Sequence, residues 1–254
     1  MKGWLLGLVW LLALAQSQPI DPLLRPEEEA GMLRYSLGLS YAPQVLQALG
    51  ADPERGLYSL TQVQHRLDLA GRLEYTLDPR WSAWLALALQ AQLVQSERRF
   101  AQETRYENRL GLGWGGSLGV RYRLEPDSAL DPRLSLALRY PWAAHYSLSA
   151  SLLRDPVVLA ASLGFSDALD GGPSSLSLSL GAGFVANEQV SFSLSKSLSW
   201  SLEALVHPGA TLRLQTSYTL DAQREQQLAV YTSFGWQGEV IRPGFGLEVG
   251  GLLR

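Results

Sequence analysis

The chain has 254 residues, no cysteine, a formal charge of −3 and 46% apolar residues. This length allows one or two domains. The near-neutral charge lacks the basic footprint of a nucleic-acid-binding protein, and the absence of cysteine excludes disulfides and thiolate metal sites. No phosphate-binding glycine loop or metal-ligand cluster is present in the sequence, so we expect no nucleic-acid partner, no metal and no cofactor.

The N-terminus has the pattern of a secretory signal. Lys2 supplies the positive start, an apolar run follows at positions 4–12, and small residues lead to a cleavage site after Ala15. The run is shorter than the ~20 apolar residues that a transmembrane helix needs. We therefore predict a signal peptide at residues 1–15. The proline- and glutamate-rich residues 16–31 are predicted to form an extended or disordered periplasmic lead-in.

From residue 32 onward, apolar residues recur at every second position, which is the period of a β-strand. The pattern is clearest between residues 154 and 198, where apolar positions alternate with serine, glycine and alanine. The segments are close to the ~9–11 residues that a tilted strand needs to cross a bilayer. The predicted strands are 32–41, 57–77, 81–94, 106–124, 133–140, 146–152, 157–165, 176–184, 190–198, 211–220, 227–236 and 243–253.

These twelve strands predict an all-β, antiparallel, up-and-down transmembrane barrel over residues 32–254. Residues 81–94 are rich in alanine and leucine, so a buried helix competes there, and the alternation favours a strand. Residues 42–56 are predicted to be a loop with one helical turn at 45–49. Residues 95–105 are predicted to be a charged loop and 141–145 a short one.

With the N-terminus in the periplasm, five predicted turns fall on the periplasmic side and are mostly shorter than the loops opposite, as is usual for bacterial barrels. These turns lie at Asp78, Asp131, Asp155, Asn187 and Asp221.

Charged residues within the predicted strands share the polar phase of the alternation. A charge on the lipid face at mid-depth costs ~2–4 kcal/mol, which explains why that face avoids them. We predict that these twelve residues line the lumen: Arg34, Arg66, Asp68, Arg72, Glu74, Glu107, Arg109, Arg121, Arg123, Arg139, Arg213 and Glu248.

Two charged residues, Arg154 and Lys196, fall on the apolar phase, and both are predicted to lie near strand ends. Aromatic residues of the apolar phase gather toward strand ends, as in the aromatic girdles of membrane barrels. Trp114 lies in the middle of a predicted strand and does not fit this girdle.

Alternation alone does not say which face is outside, so a soluble lipocalin-like barrel remains the alternative. The number of strands and the many inward arginines favour the membrane barrel.

Two runs of the sequence go beyond general alternation. One is Arg-Asp-Pro-Val-Val at 154–158 and the other is Ala-Asn-Glu-Gln-Val-Ser at 186–191, which leads into a strand of alternating serine and leucine. Together with residues 73–89, they make the chain resemble the outer-membrane transporter-like barrels known as the MetA-pathway of phenol degradation family. The Pro-Thr-Gly that often follows a central strand in that family is absent, and Tyr140-Pro141-Trp142 stands near its place. The given sequence ends in Leu252-Leu253-Arg254, without the terminal aromatic residue that is usual in barrels folded by the outer-membrane assembly machinery. The resemblance implies an outer-membrane barrel that passes small solutes, with aromatic solutes among the candidates.

Three functions remain open from the sequence. The first is a narrow channel selective for small anionic or aromatic solutes, because converging guanidinium groups attract and bind anions. The second is a structural or assembly barrel whose lumen is plugged by paired charges. The third is a membrane-embedded lipid hydrolase, for which His65 on the lipid-facing phase is the candidate; His145 and His207 are predicted to lie in loops.

The sequence favours a channel without enzymatic activity, located in the outer membrane. The expected partners are outer-membrane lipid, small solutes and the outer-membrane assembly machinery. The sequence does not predict an oligomeric state.

Overall fold

The computed structural model describes residues 30–125, 129–203, 208–221, 226–237 and 240–253. The predicted signal peptide at 1–15 and nearly all of the lead-in at 16–31 lie outside these ranges, as does His207. Within these ranges, no helix has the length and apolar character needed to span a membrane.

Twelve antiparallel strands form one closed barrel in which each strand pairs with its sequence neighbours and β1 pairs with β12. This confirms the predicted fold, including the strand at residues 81–94 where a helix competed. The strands are β1 Leu33–Asp52, β2 Gly56–Thr76, β3 Trp81–Phe100, β4 Thr104–Arg123, β5 Arg133–Tyr140, β6 Ala143–Arg154, β7 Val157–Ala168, β8 Ser175–Val185, β9 Val190–Ser201, β10 Gly209–Thr219, β11 Gln226–Gln237 and β12 Val240–Leu253.

The apolar phase of the alternation faces outward. Leu87 and Leu89 on β3 are each 57% exposed, whereas Glu74 on β2 and Arg121 on β4 are 9% and 8% exposed. A soluble barrel has the opposite arrangement, with apolar residues inside. The outer surface therefore matches hydrocarbon, and the closed ladder pairs the backbone groups of neighbouring strands as lipid requires.

The first four strands continue far beyond the others on the side opposite the chain termini. Pairing of β1 with β12 stops at Tyr41 and Phe245, and pairing of β4 with β5 stops at Gly116 and Tyr140. The pairs β1–β2 and β3–β4 nevertheless continue to their hairpin ends. Residues 42–52, 56–66, 92–100 and 104–111 thus form a four-stranded sheet above the barrel, which we call the extension.

Proline residues end the barrel ladder on both sides of the extension. Two residues beyond the last pair, the register of β1 and β12 would bring Pro43 opposite Pro243, and neither has an N–H to donate. On the other side the register would bring Pro141 opposite Gly115, and β5 ends at the residue before that proline. Proline within sheets is confined to edges for the same reason, so the sequence itself sets the height of the barrel wall.

Two loop predictions were wrong because of the extension. Residues 42–52 continue β1 as a strand, without the predicted helical turn at 45–49, and residues 95–100 continue β3. Only residues 53–55 and 101–103 connect the hairpins. The alternation weakens here because neither face of the extension packs on the barrel interior or on a continuous lipid belt. The loop at 141–145 is also shorter than predicted, since β6 already begins at Ala143.

The five predicted turns do lie at one end of the barrel, the end where β1 begins and β12 finishes. The prediction that these turns are mostly shorter than the connections at the other end was wrong. The turn at residues 124–132 is longer than the connections at 53–55, 101–103 and 141–142 on the opposite side. The difference arises because the long loops predicted on that side are mostly strand.

Trp114 belongs to an aromatic girdle, contrary to the prediction from its position in the middle of a strand. Its ring stacks on Tyr140 with centroids 4.4 Å apart, and Tyr140 contacts the edge of Trp142 at 6.0 Å. Because β4 continues beyond the end of β5, the middle of β4 lies level with the barrel rim. At the opposite end, Trp81 and Tyr122 form a similar pair with centroids 4.7 Å apart. The outer surface therefore carries aromatic residues at both membrane interfaces.

Arg154 is the last residue of β6, as predicted, but Lys196 lies in the middle of β9. Its register partners on the two neighbouring strands are Leu180 and Leu212. The side chain is exposed on the lipid-facing phase. The prediction that Lys196 lies near a strand end was wrong, because β9 continues to Ser201 rather than ending at Leu198.

We expect Lys196→Leu to stabilise the folded barrel. Removing a cation from the middle of the lipid face should raise the free energy of unfolding by about 2–4 kcal/mol. Urea titration of the protein in lipid vesicles measures this change. Arg154→Leu is the matched control, because a cation near the interface costs only about 0–1 kcal/mol. Equal effects of the two substitutions would contradict a lipid-exposed Lys196.

Asp131 joins β4 to β5 at the turn end of the barrel. Its carboxylate accepts hydrogen bonds from Arg123 Nε at 2.5 Å and from Arg133 Nη2 at 2.6 Å, and the residue is 2% exposed. The two arginines are register partners, so the carboxylate separates like charges. Burial opposes ionisation of Asp131, but the hydrogen bonds and charges of Arg133 and Arg123 outweigh it and lower its pKa.

We expect Asp131→Asn to destabilise the barrel by about 3–5 kcal/mol at neutral pH, because it leaves two facing arginines without their counter-ion. Since the folded pKa is lowered, the stabilisation is present above the ordinary value of 3.8 and is lost as the pH falls below it. Urea titrations at pH 7 and pH 3 measure both effects. Asp155→Asn, in the exposed β6–β7 turn, is the control; an equal loss in both variants would contradict this role.

Candidate functional site

The barrel brings ten of the twelve predicted lumen residues onto its inward-facing phase. They are Arg34, Arg66, Asp68, Arg72, Glu74, Arg121, Arg123, Arg139, Arg213 and Glu248. Glu107 and Arg109 share that phase of β4 but lie higher in the extension than Arg66, which is at its base, and above the last pair of β4 with β5. They pair with each other, and the Arg109 side chain is 73% exposed.

Glu74 is the centre of the largest group of charges. Its Oε1 accepts hydrogen bonds from Arg121 Nη1 at 2.6 Å and from the Ser82 hydroxyl at 2.8 Å. Its Oε2 accepts from Arg72 Nη2 at 2.9 Å, and Arg34 is its register partner on β1. One carboxylate therefore holds three strands together and faces three guanidinium groups.

A second group surrounds Arg213 on β10. Its Nη2 donates to Gln215 Oε1 at 2.7 Å and to Glu248 Oε2 at 3.4 Å. The guanidinium carbon lies 3.6 Å from the centroid of the Tyr231 ring, within cation–π distance. Tyr231 in turn lies against Gly246, its register partner on β12, where an added Cβ would overlap the ring.

Further charges line both ends of the inward face. Arg66, at the base of the extension, donates from Nε to Asp68 Oδ2 at 2.8 Å. Arg139, near the end of β5, is buried at 7% exposure. Arg123 pairs with Asp131 at the turn end, as described above.

The opposite wall is built from small residues. The inward positions of β6 to β9 carry mainly serine and glycine, and Ser179 and Ser197 hydrogen-bond to each other at 2.9 Å. Such side chains occupy little of the lumen. They are Ser147, Ser149, Ser151, Ser162, Gly164, Ser166, Ser175, Ser177, Ser179, Gly181, Gly183, Ser191, Ser193, Ser195, Ser197 and Ser199. The lumen is therefore asymmetric, with charged and aromatic groups on one side and a smooth hydroxyl-rich wall on the other.

Sequence analysis missed five inward residues. Trp84 and Tyr231 are aromatic residues on the polar phase of their strands, and this departure from the alternation is the signal in the sequence that marks them. Arg242 lies one residue before the predicted start of the last strand, but the observed β12 begins at Val240 and includes it. Gln215 partners Arg213. His145, predicted in a loop, is buried on β6 opposite Ser166.

His65 does not have a serine partner in the described part of the chain. Its Nδ1 hydrogen-bonds to the Tyr41 hydroxyl at 2.7 Å, and its register partners are Pro43 and Leu93. Within the described ranges, no group of three histidine or acidic side chains is placed to hold a metal ion. The geometry instead gathers arginine, tryptophan and tyrosine around an inner space, where they can bind anions and flat rings.

No protein-family model matches the chain, and no curated protein matches its sequence. Similar structures are known. An outer membrane channel from Pseudomonas putida F1 is 12% identical, with 94% of this chain and 100% of that chain covered and a TM-score of 0.54. The CymD monoaromatic hydrocarbon channel is 11% identical, with 88% of each chain covered and a TM-score of 0.50. At these identities the similarity shows a shared fold.

The barrel has an even number of antiparallel strands, an exposed apolar outer face and aromatic girdles at both interfaces. These are the defining features of bacterial outer-membrane barrels. The chain is an outer-membrane β-barrel with the fold of known outer-membrane channels.

We expect Glu74→Gln to lower the free energy of unfolding by about 3–5 kcal/mol, because a neutral amide leaves the surrounding arginines without their counter-ion. Urea titration in lipid vesicles measures the loss. Glu107→Gln is the matched control, since its ion pair with Arg109 is exposed and contributes at most about 1 kcal/mol. A Glu74→Gln barrel as stable as the control would show that the inner cluster does not hold the wall together.

Proposed function

We propose that this barrel is an outer-membrane channel for small solutes with a preference for anions. The observation that carries the proposal is the excess of arginine on the inward face. Among the ten predicted residues found there, seven are arginine and three are acidic, and Arg242 adds another cation. A low-dielectric wall lined by one sign of charge raises the local concentration of the opposite ion.

The small-residue wall supports an open path beside the charges. Serine and glycine on β7 to β9 leave space that leucine or arginine would fill. A barrel of this size lies between small filled barrels and wide water-filled porins, so the lining decides whether solutes pass. The asymmetric lining favours a path along the β7–β9 side of the lumen.

The similar structures and the sequence resemblance both support a transport role. CymD is named as a monoaromatic hydrocarbon channel. The resemblance to the MetA-pathway of phenol degradation family points to small aromatic solutes as well. We propose that membership of that family and an aromatic solute range extend to this chain. The arginines make charged aromatic solutes better candidates than neutral hydrocarbons, because they compensate a carboxylate.

The proposed partners follow from this role. Outer-membrane lipid surrounds the apolar face, small solutes enter the lumen, and the outer-membrane assembly machinery inserts the barrel.

No catalytic activity is proposed, because His65 contacts Tyr41 on the outer surface rather than a serine. The alternative is a structural barrel whose lumen is plugged, supported by the ion pairs of Glu74. A measurement of ion conductance across a lipid bilayer distinguishes an open channel from a plugged structural barrel.

Purified protein in planar lipid bilayers should give discrete channels. In a gradient of potassium chloride the reversal potential should show anion preference. Glu248→Gln removes an inward negative charge and should raise the anion-to-cation permeability ratio at least twofold. Glu103→Gln, at the tip of the extension, should leave the ratio unchanged. Absence of channels, or cation preference, would overturn the proposal.

A further inference from the structure

A groove crosses the lipid-facing surface of the barrel from β3 to β8. Its volume is about 540 Å³, which lies within the ~300–1,000 Å³ of typical ligand pockets. Its walls are two rows of apolar residues that are register partners on successive strands, one from Trp81 to Leu163 and the other from Val120 to Leu176. We call it the outer groove.

The floor of the outer groove is formed by backbone. Ser135, Ser147 and Gly164 lie between the two rows and are register partners on β5, β6 and β7. They belong to the inward phase, so the serine side chains point toward the lumen and leave the outer side open. A hydrocarbon chain lying on this floor contacts protein on three sides rather than one, and it gains dispersion contacts that a flat wall does not offer.

The outer groove rises through the depth of one membrane leaflet. It begins at Trp81, the first residue of β3 at the turn end, and reaches Leu176 on β8, near the opposite end of the wall. Five strand spacings of ~4.8 Å give it a length of about 24 Å. Because barrel strands tilt by ~35–45°, a line across them rises by about 15 Å, which is half of the ~30 Å hydrocarbon thickness. An acyl chain of one leaflet therefore fits along it.

A cation and two aromatic rings mark the turn end of the outer groove. Arg80, in the turn before β3, is exposed and donates from Nη1 to the Tyr122 hydroxyl at 3.4 Å. Tyr122 packs against Trp81 with ring centroids 4.7 Å apart. Arg80 makes no ion pair with any described residue, whereas Arg123, whose backbone N–H donates to the Arg80 carbonyl, is paired with Asp131. Arg80 is thus a cation that can take an anionic partner from outside the chain.

We propose that the outer groove binds one phospholipid, with an acyl chain between the two rows and the phosphate at Arg80. The guanidinium group and the Tyr122 hydroxyl donate to phosphate oxygens, a geometry for which arginine is well suited. Tryptophan and tyrosine at the groove entrance suit the boundary between headgroups and acyl chains. The site lies on the outer surface and goes beyond the proposed channel function, since it concerns a lipid rather than a solute.

The test is native mass spectrometry of the full chain, reconstituted in vesicles of phosphatidylethanolamine and phosphatidylglycerol and extracted in mild detergent. We expect one phospholipid to remain on each barrel. Digalactosyldiacylglycerol has two acyl chains but no phosphate, and it should be retained at least threefold less. Arg80→Gln, which removes the phosphate donor, and Leu163→Trp, which narrows the groove, should each lower phospholipid retention at least threefold.

Arg154→Gln and Leu194→Trp are the matched controls, because they make the same changes at an interfacial arginine and a lipid-facing leucine outside the groove; both should retain phospholipid fully. A heat-dependent gel shift reports whether each variant is folded, and if Leu163→Trp fails to fold, Arg80→Gln decides the question. No retained phospholipid, equal retention of the two lipids, or equal losses in test and control variants would overturn the site. A second copy of the chain retained in place of lipid would also overturn it, by showing that this face joins two barrels.

Discussion

The backbone ladder that closes β1 onto β12 is the constraint on which the rest of this structure depends. In hydrocarbon no water is available for unpaired N–H and C=O groups, so a sheet survives there only as a closed cylinder. Closure also assigns every second residue to the lipid and the remaining residues to the interior. The arginines, the ion pairs of Glu74 and the serine wall are inside because a shift of one residue would place them in lipid.

Three prolines mark the points at which the closed ladder ends. Pro43 and Pro243 stand where the β1–β12 ladder ends, and Pro141 stands where the β4–β5 ladder ends. Below these points the ladder is continuous. Above them the first four strands remain paired to their hairpin ends, and β12 stays paired with β11 for five more residues. The same sequence thus forms a membrane cylinder and a separate sheet above it, without a loop or a linker between them.

The sequence predicted the membrane part well, but of the extension it predicted only the strands of β2 and β4 and the first residues of β3. Alternation set by lipid on one side and water on the other identified all twelve strands and the inward phase of residues such as Arg72 and Glu74. In the extension both faces are polar or mixed, so residues 42–52 looked like a loop. Lys196 was misplaced because the end of β9 has no turn residue at Leu198. The contact of an aromatic ring with a glycine on the next strand, as for Tyr231 and Gly246, depends on how the two strands are aligned. The sequence of one strand does not reveal this alignment.

The unequal heights of the barrel wall determine how the mouth can be approached. Beyond the rim, about ten residues of each of the first four strands rise roughly 30 Å along their length, while β5 to β12 stop at or near the rim. The mouth is therefore shielded on one side, by four of the twelve strands. The inward serines lie on the low side of the wall, on β6 to β9, so the mouth opens toward the small-residue half of the lumen, while the extension stands above the charged strands β1 to β4.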